Sequence, residues 1–161
     1  MKRVTQILIV LVLGLAAVYA IFSNVAQDQV LAKNVMLQTL EGEKQTISSQ
    51  ENIIINFWAT YCPPCEREMP AFNAVYPKIL EQSIELYAIN VEEPTKIVNQ
   101  YIKNKNLVFP ILLDRRGELK DAYKITTLPT TLLIKDGEVV YTVKGELTET
   151  KIDELTKKYY E

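Results

Sequence analysis

Histidine is absent from this sequence, and cysteine occurs only twice. Together these shortages remove most metal chemistry. A structural zinc site takes about four ligands, commonly Cys or His, and two cysteines leave such a site half built. A c-type haem attachment site needs a histidine directly after C-x-x-C, and Glu66 stands in that place. A copper-transfer site would normally want histidine as well. No metal and no cofactor is therefore expected. Glycine is sparse at five residues, and no low-complexity tract or solenoid-length repeat occurs, which argues against a fibrous, disordered or repeat protein. A net charge of −2 lacks the basic footprint that a nucleic-acid partner demands. What remains, 161 residues of which 48% are hydrophobic and 24% charged, suits one globular domain plus an extra segment.

Both cysteines fall in one stretch, Asn56-Phe57-Trp58-Ala59-Thr60-Tyr61-Cys62-Pro63-Pro64-Cys65. The β-formers Ile53-Ile54-Ile55 lead in, and the helix-like Cys65-Glu66-Arg67-Glu68-Met69 leads out. The pair thus sits where a buried strand hands over to a helix N-terminus, whose first turn carries unpaired N–H groups and partial positive charge. A thiolate there is stabilised, and its pKa falls from about 8.5 toward roughly 3.5–7.5. Two cysteines one turn apart can also close into a disulfide and so exchange two electrons. An inert structural bridge is the alternative, but so small a loop gains little from chain entropy. The spacing favours redox chemistry.

The extra segment, residues 1–23, begins with Lys2 and Arg3 and continues through an uncharged run from Ile7 to Phe22. With Val4 and Thr5 this approaches the ~20 residues that span a bilayer core. The basic pair would stay in the cytoplasm and the remainder would be exported. An uncleaved single-pass anchor is favoured over a cleaved signal peptide, for which Val18-Tyr19-Ala20 offers a passable site. The expected location is the cell membrane, with the cysteines on the extracytoplasmic side, where disulfides persist. Residues 24–33 are polar and read as a linker.

The domain is expected over residues 34–161. Residues 34–40 and 45–47 read as a β-hairpin with Gly42 in the turn. Residues 52–57 form an apolar run suited to a strand buried on both faces. A helix is expected from Pro63 to about Gln82, kinked at Pro70 and open to breakage at Pro77. A strand over 84–91 follows. Pro94 then opens a helix with Ile97, Val98, Tyr101 and Ile102 on one face. A strand over 109–114 and a short helix over 118–123 come next. Strands over 131–135 and 138–144 are joined by Asp136-Gly137, a hairpin signal. A last helix, 148–160, carries Ile152 and Leu155 inward, with Thr148 as its N-cap. The fold class is α/β with a mixed sheet.

Thr126-Thr127-Leu128-Pro129-Thr130-Thr131 has two readings. A proline at the first residue of a strand is tolerated at a sheet edge, and an X–Pro bond can also be cis. In the second reading the kink would hold the backbone of Leu128 open beside the thiols.

The segment Asn56–Cys65, the later Thr127-Leu128-Pro129-Thr130 and the order of elements resemble the thioredoxin superfamily. More narrowly, the chain resembles its membrane-anchored, extracytoplasmic TlpA/ResA-like thiol–disulfide oxidoreductases, through everything after the linker. The resemblance implies a three-layer thioredoxin-like fold with an N-terminal hairpin and a strand–helix insertion between Ile84 and Asp114. It implies that Cys62 attacks, Cys65 resolves, Pro129 is cis and faces them, and Trp58 and Tyr61 flank the site. Glu68 matches an acidic residue kept near the cysteines in ResA-like proteins; an ordinary solvated helix carboxylate is the competing reading. Asn56 stands where cytoplasmic thioredoxins carry a buried aspartate. It cannot take up a proton, which leaves Glu68 as the candidate replacement. The implied partners are an exported substrate such as oxidised apocytochrome c and a membrane thiol reductase of the CcdA/DsbD type, with the protein a monomer. Sporulation or envelope assembly is an alternative setting. A thiol peroxidase is disfavoured because the Pro-x-x-x-Thr-x-x-Cys pattern is missing at Cys62. A non-catalytic module that binds extended peptide beside Pro129 is the non-enzyme alternative.

Overall fold

The computed structural model describes residues 12–16, 35–48 and 52–161. The anchor expected over 1–23 lies outside these residues except for 12–16, which are helical. The linker expected over 24–33 lies wholly outside them. Among the described residues no helix is long and apolar enough to cross a membrane.

Within the unit Leu31–Glu161 the elements follow as β1 (Val35–Thr39), β2 (Lys44–Ile47), β3 (Asn52–Trp58), α1 (Pro63–Glu81), β4 (Ile84–Val91), α2 (Thr95–Lys105), β5 (Ile111–Asp114), α3 (Glu118–Ala122), β6 (Thr130–Lys135), β7 (Glu138–Lys144) and α4 (Glu149–Tyr160). They build one mixed seven-stranded sheet of order β2-β1-β5-β4-β3-β6-β7. β3, β4 and β5 are parallel, which requires the crossovers that α1 and α2 supply. β6 runs antiparallel to β3, and β7 to β6. The N-terminal hairpin joins the sheet through β1, antiparallel to β5.

The apolar run Ile53-Ile54-Ile55 becomes a strand because β3 has neighbours on both edges and cover on both faces. Alternation sends successive side chains to opposite faces. Asn56 reaches Glu68 of α1 on one face, while Phe57 packs its ring 6.2 Å from Tyr123, just past α3, on the other. α4 lies beside α1: Ile152 and Leu155 line one small cavity with Phe72 and Ile54, and Lys78 pairs with Asp153 at 2.8 Å. The result is three layers, as expected.

Both hairpin turns follow from backbone conformations that few residues tolerate. Asp136 and Gly137 both have positive φ, 53° and 80°, as the tight two-residue hairpin turn requires. Gly42 has φ 87° in the β1–β2 turn, which Thr39 closes by donating its N–H to Glu43 O at 2.8 Å. Thr148 caps α4 as expected, its hydroxyl accepting from Lys151 N–H at 3.3 Å.

Two local expectations need correction. α1 does not break at Pro77 but runs unbroken from Pro63 to Glu81. Pro70 and Pro77 are seven positions apart, so they share one face, and both are exposed. Cys65, Glu68, Met69, Phe72, Val75 and Ile79 on the opposite face are buried and hold the helix down. On α2, Ile97 is 49% exposed while Val98 is buried and Tyr101 and Ile102 half-buried. The inward stripe runs through 98, 101 and 102, and Ile97 falls on its rim.

The sheet also has an internal strut. Ile53 and Ile134 are register partners, yet the Tyr160 hydroxyl sits between them. It donates to Ile53 O at 2.6 Å and accepts from Ile134 N–H at 3.0 Å. Replacing Tyr160 by Phe orphans both backbone groups, and should cost about 1–3 kcal/mol. Urea unfolding of the oxidised protein checks this; a loss below the error of the midpoint would show that water fills the gap.

Candidate redox site

β3 ends at Trp58, and the chain turns through Ala59, Thr60 and Tyr61 into Cys62, the N-cap of α1. Cys62 N–H donates to Ala59 O at 3.3 Å, closing the turn. Its sulfur accepts from Cys65 N–H at 3.3 Å, one of the donors that a helix start leaves unpaired. Pro63 and Pro64 occupy the first two helical positions, where a missing N–H costs nothing. Cys62 and Cys65 form a disulfide. Cys65 has no solvent exposure, whereas Cys62 keeps 7%. The order of exposure is the expected one, but in this oxidised form even Cys62 offers only a small window.

Glu68 lies one turn beyond Cys65 on the same helix face. It is 1% exposed, which rules out the solvated reading. Its Oε1 accepts from Asn56 Nδ2 at 2.8 Å and its Oε2 from Leu147 N–H at 3.1 Å. Burial pushes the carboxyl up from its ordinary value of 4.5 to about 7, with the two hydrogen bonds opposing the rise and nearby Glu146 adding to it. Asn56 also donates to Thr131 Oγ1 at 3.1 Å, while its Oδ1 has no hydrogen-bond partner among the described residues. One amide therefore ties α1, β3 and β6 together behind the disulfide.

The Leu128–Pro129 bond is cis. Thr130 pairs with Phe57 in the β3–β6 register, so Pro129 comes level with Trp58, at the sheet end where the cysteines lie. Gly145 N–H holds the Pro129 carbonyl at 2.9 Å, and the Thr130 hydroxyl holds Thr127 O at 2.7 Å. Trp58 is fully buried, its ring 5.3 Å from Tyr101, so it supports the site from beneath. Tyr61 is 68% exposed and stands on the surface beside Cys62.

Three contributors escaped the sequence reading. Leu147 serves through its backbone alone, which no residue pattern announces. Glu93 and Thr60 bond to each other across the ends of β3 and β4, with Thr60 N–H reaching Glu93 Oε2 at 2.7 Å. The parallel pairing of those strands was the available signal, since it brings their carboxyl ends together. Among the described residues no group of three or more acidic or cysteine side chains converges as a metal site.

Residues 29–142 match the AhpC/TSA family model. The thiol-disulfide oxidoreductase ResA of Halalkalibacterium halodurans is 39% identical over 91% of this chain and 89% of that protein. ResA of Geobacillus kaustophilus is 36% identical over 94% and 92%. The crystal structure of StoA from Bacillus subtilis superposes with a TM-score of 0.70 at 33% identity, covering 79% of this chain and 98% of StoA. The chain belongs to the AhpC/TSA family, among its ResA-type members. It is a thiol–disulfide oxidoreductase with a thioredoxin-like fold. Its disulfide-linked Cys62 and Cys65 supply the chemistry that this class of enzyme requires.

The raised carboxyl makes stability depend on pH with a definite sign. Native Glu68 holds its proton up to about pH 7, whereas the unfolded chain releases it near 4.5. The folded state is therefore favoured most below the unfolded value, and that advantage is lost as pH climbs to about 7. The loss is on the order of 3 kcal/mol. Urea unfolding of oxidised wild type and Glu68→Gln across this range should show the decline in the former and its flattening in the latter; parallel curves would place the titration elsewhere.

Proposed function

We propose that this chain is a membrane-anchored, extracytoplasmic reductase of disulfides in exported proteins, with oxidised apocytochrome c as its substrate. The observation that carries the reading is the disulfide at the start of α1, exposed only at Cys62, with a buried proton-holding carboxyl one turn beyond Cys65. The ResA-type relatives support the exchange chemistry. The basic pair Lys2 and Arg3 ahead of an apolar run supports the anchor.

In the reduced protein, Cys62 thiolate attacks one sulfur of the substrate disulfide. A mixed disulfide forms, and the other substrate sulfur leaves as a thiolate. Cys65, having given up its proton, attacks the Cys62 sulfur and expels the second substrate thiolate, regenerating the Cys62–Cys65 bridge. Two electrons pass to the substrate, which takes up two protons as its thiols form. The positive end of α1 favours the Cys62 thiolate. Glu68 is the group placed to accept the Cys65 proton, because its raised pKa lets it hold or release a proton near neutrality. Asn56 fixes the carboxyl without competing for that proton. Pro129, at the same end of the sheet, borders the surface on which substrate backbone would lie. A membrane thiol reductase of the CcdA/DsbD type then returns two electrons to the bridge.

Cys62→Ala should abolish reduction of insulin and of an oxidised C-x-x-C-H peptide. Cys65→Ala should accumulate a mixed disulfide that, captured from cells, contains apocytochrome c. Full activity of Cys65→Ala without an adduct would defeat the two-thiol scheme. An adduct dominated by other exported proteins would keep the chemistry and replace the substrate. Alkylation of Cys62 against pH should shift in Glu68→Gln, and curves that overlay wild type would remove Glu68 from the proton path.

A further inference from the structure

A second buried glutamate, apart from Glu68, is bonded directly to the active-site loop. Glu93, in the loop between β4 and α2, is 8% exposed. Its Oε2 accepts from Thr60 N–H at 2.7 Å and from Asn90 Nδ2 at 2.7 Å, and its Oε1 accepts from the Thr60 hydroxyl at 2.5 Å. Three donors converge on one ion, and such charge-assisted bonds are about twice as strong as neutral ones. Thr60 stands two residues before Cys62, in the turn that Cys62 N–H closes onto Ala59. Asn90 is the register partner of Trp58, the last residue of β3.

We propose that Glu93 is a positioning residue for thiol–disulfide exchange, clamping the Thr60 turn to the end of β4 so that Cys62 keeps its place at the start of α1. This rests on the redox reading of Cys62 and Cys65. The turn from Ala59 to Tyr61 belongs to no element, and its hydrogen bonds to the rest of the fold determine where the sulfur stands. Glu93 holds both the backbone and the side chain of Thr60, so it fixes position and orientation together. Asn90 in turn aims the carboxylate. Its Oδ1 has no hydrogen-bond partner among the described residues, so the bond to Glu93 is what orients the amide. The neighbouring Glu92 points elsewhere, to Lys120 at 3.0 Å, so adjacent glutamates serve different parts of the fold.

Two measurements test the clamp. In a Cys65→Ala background Cys62 is the sole thiol, and its alkylation rate at neutral pH reports thiolate stability and access. Displacement of a reacting group by about 1 Å costs up to ~100-fold, so Glu93→Ala should slow alkylation at least roughly tenfold. Glu93→Gln keeps the length and an accepting oxygen, and should stay within about threefold of wild type. Thr60→Val, which removes one of the three donors and spares the backbone bond, should fall between them and remains informative if Glu93→Ala does not fold. With both cysteines present, equilibration against glutathione should move toward the disulfide form in Glu93→Ala and not in Glu93→Gln. An alkylation rate in Glu93→Ala within twofold of wild type overturns the clamp. A faster rate in both Glu93 variants overturns it too, because loss of the negative charge would then outweigh position. Wild-type Cys62 that resists alkylation altogether would overturn both this role and the redox reading, whereas failure of the apocytochrome c assignment leaves the clamp standing.

Discussion

The hydrogen bond from Asn56 to Glu68 joins the central strand to the helix that carries the cysteines, and the active site depends on that junction. β3 delivers Cys62 to a particular point in space only if α1 begins where the strand ends and lies at a fixed angle across the sheet. Apolar packing through Met69, Phe72, Val75 and Ile79 supplies most of the adhesion, but it is non-directional. The polar bond at 2.8 Å is directional, and a buried partner left alone would be costly. It therefore specifies one register of helix on strand. Thr131 and Leu147 extend the same network to β6 and to the approach to α4.

That arrangement has an energetic cost that coincides with its use. A carboxyl taken out of water resists ionisation, and its pKa climbs to about 7. The folded protein thereby carries, one turn beyond Cys65, a carboxyl whose pKa lies near neutrality. Glu93 receives three donors, two of them from Thr60. Two buried glutamates thus have different partners: Glu68 binds Asn56 of β3 and Leu147, and Glu93 binds the Thr60 turn and Asn90.

The redox pair and the α/β pattern were legible in the chain itself. C-x-x-C after an apolar run has few chemical uses when histidine is missing, and the strand and hairpin signals at Ile53-Ile54-Ile55 and Asp136-Gly137 are local. The misreadings arose where a local rule met a tertiary override. Pro77 would end an isolated helix, yet α1 runs through it, with both prolines on the exposed face and the opposite face buried. Ile97 fits an apolar stripe by spacing, but the width of the stripe is set by what packs against α2, and the sheet side needed only Val98, Tyr101 and Ile102. Glu68 was ambiguous for the same reason, since a helix carboxylate every few residues looks alike until burial is known.

By itself the sequence determined which atoms react: two sulfurs one helical turn apart, at a strand-to-helix junction, in a chain without histidine. Sulfur chemistry is a property of residue type and short spacing, and both are written along the chain. Tertiary structure alone decided what surrounds those atoms. The burial of Glu68, its bonds to Asn56 and Leu147, the approach of Pro129 and the grip of Glu93 on Thr60 join residues between 12 and 79 positions apart. Solvent exclusion and long-range hydrogen bonding have no counterpart in a linear pattern, because they come into being only when the sheet brings its strand ends together.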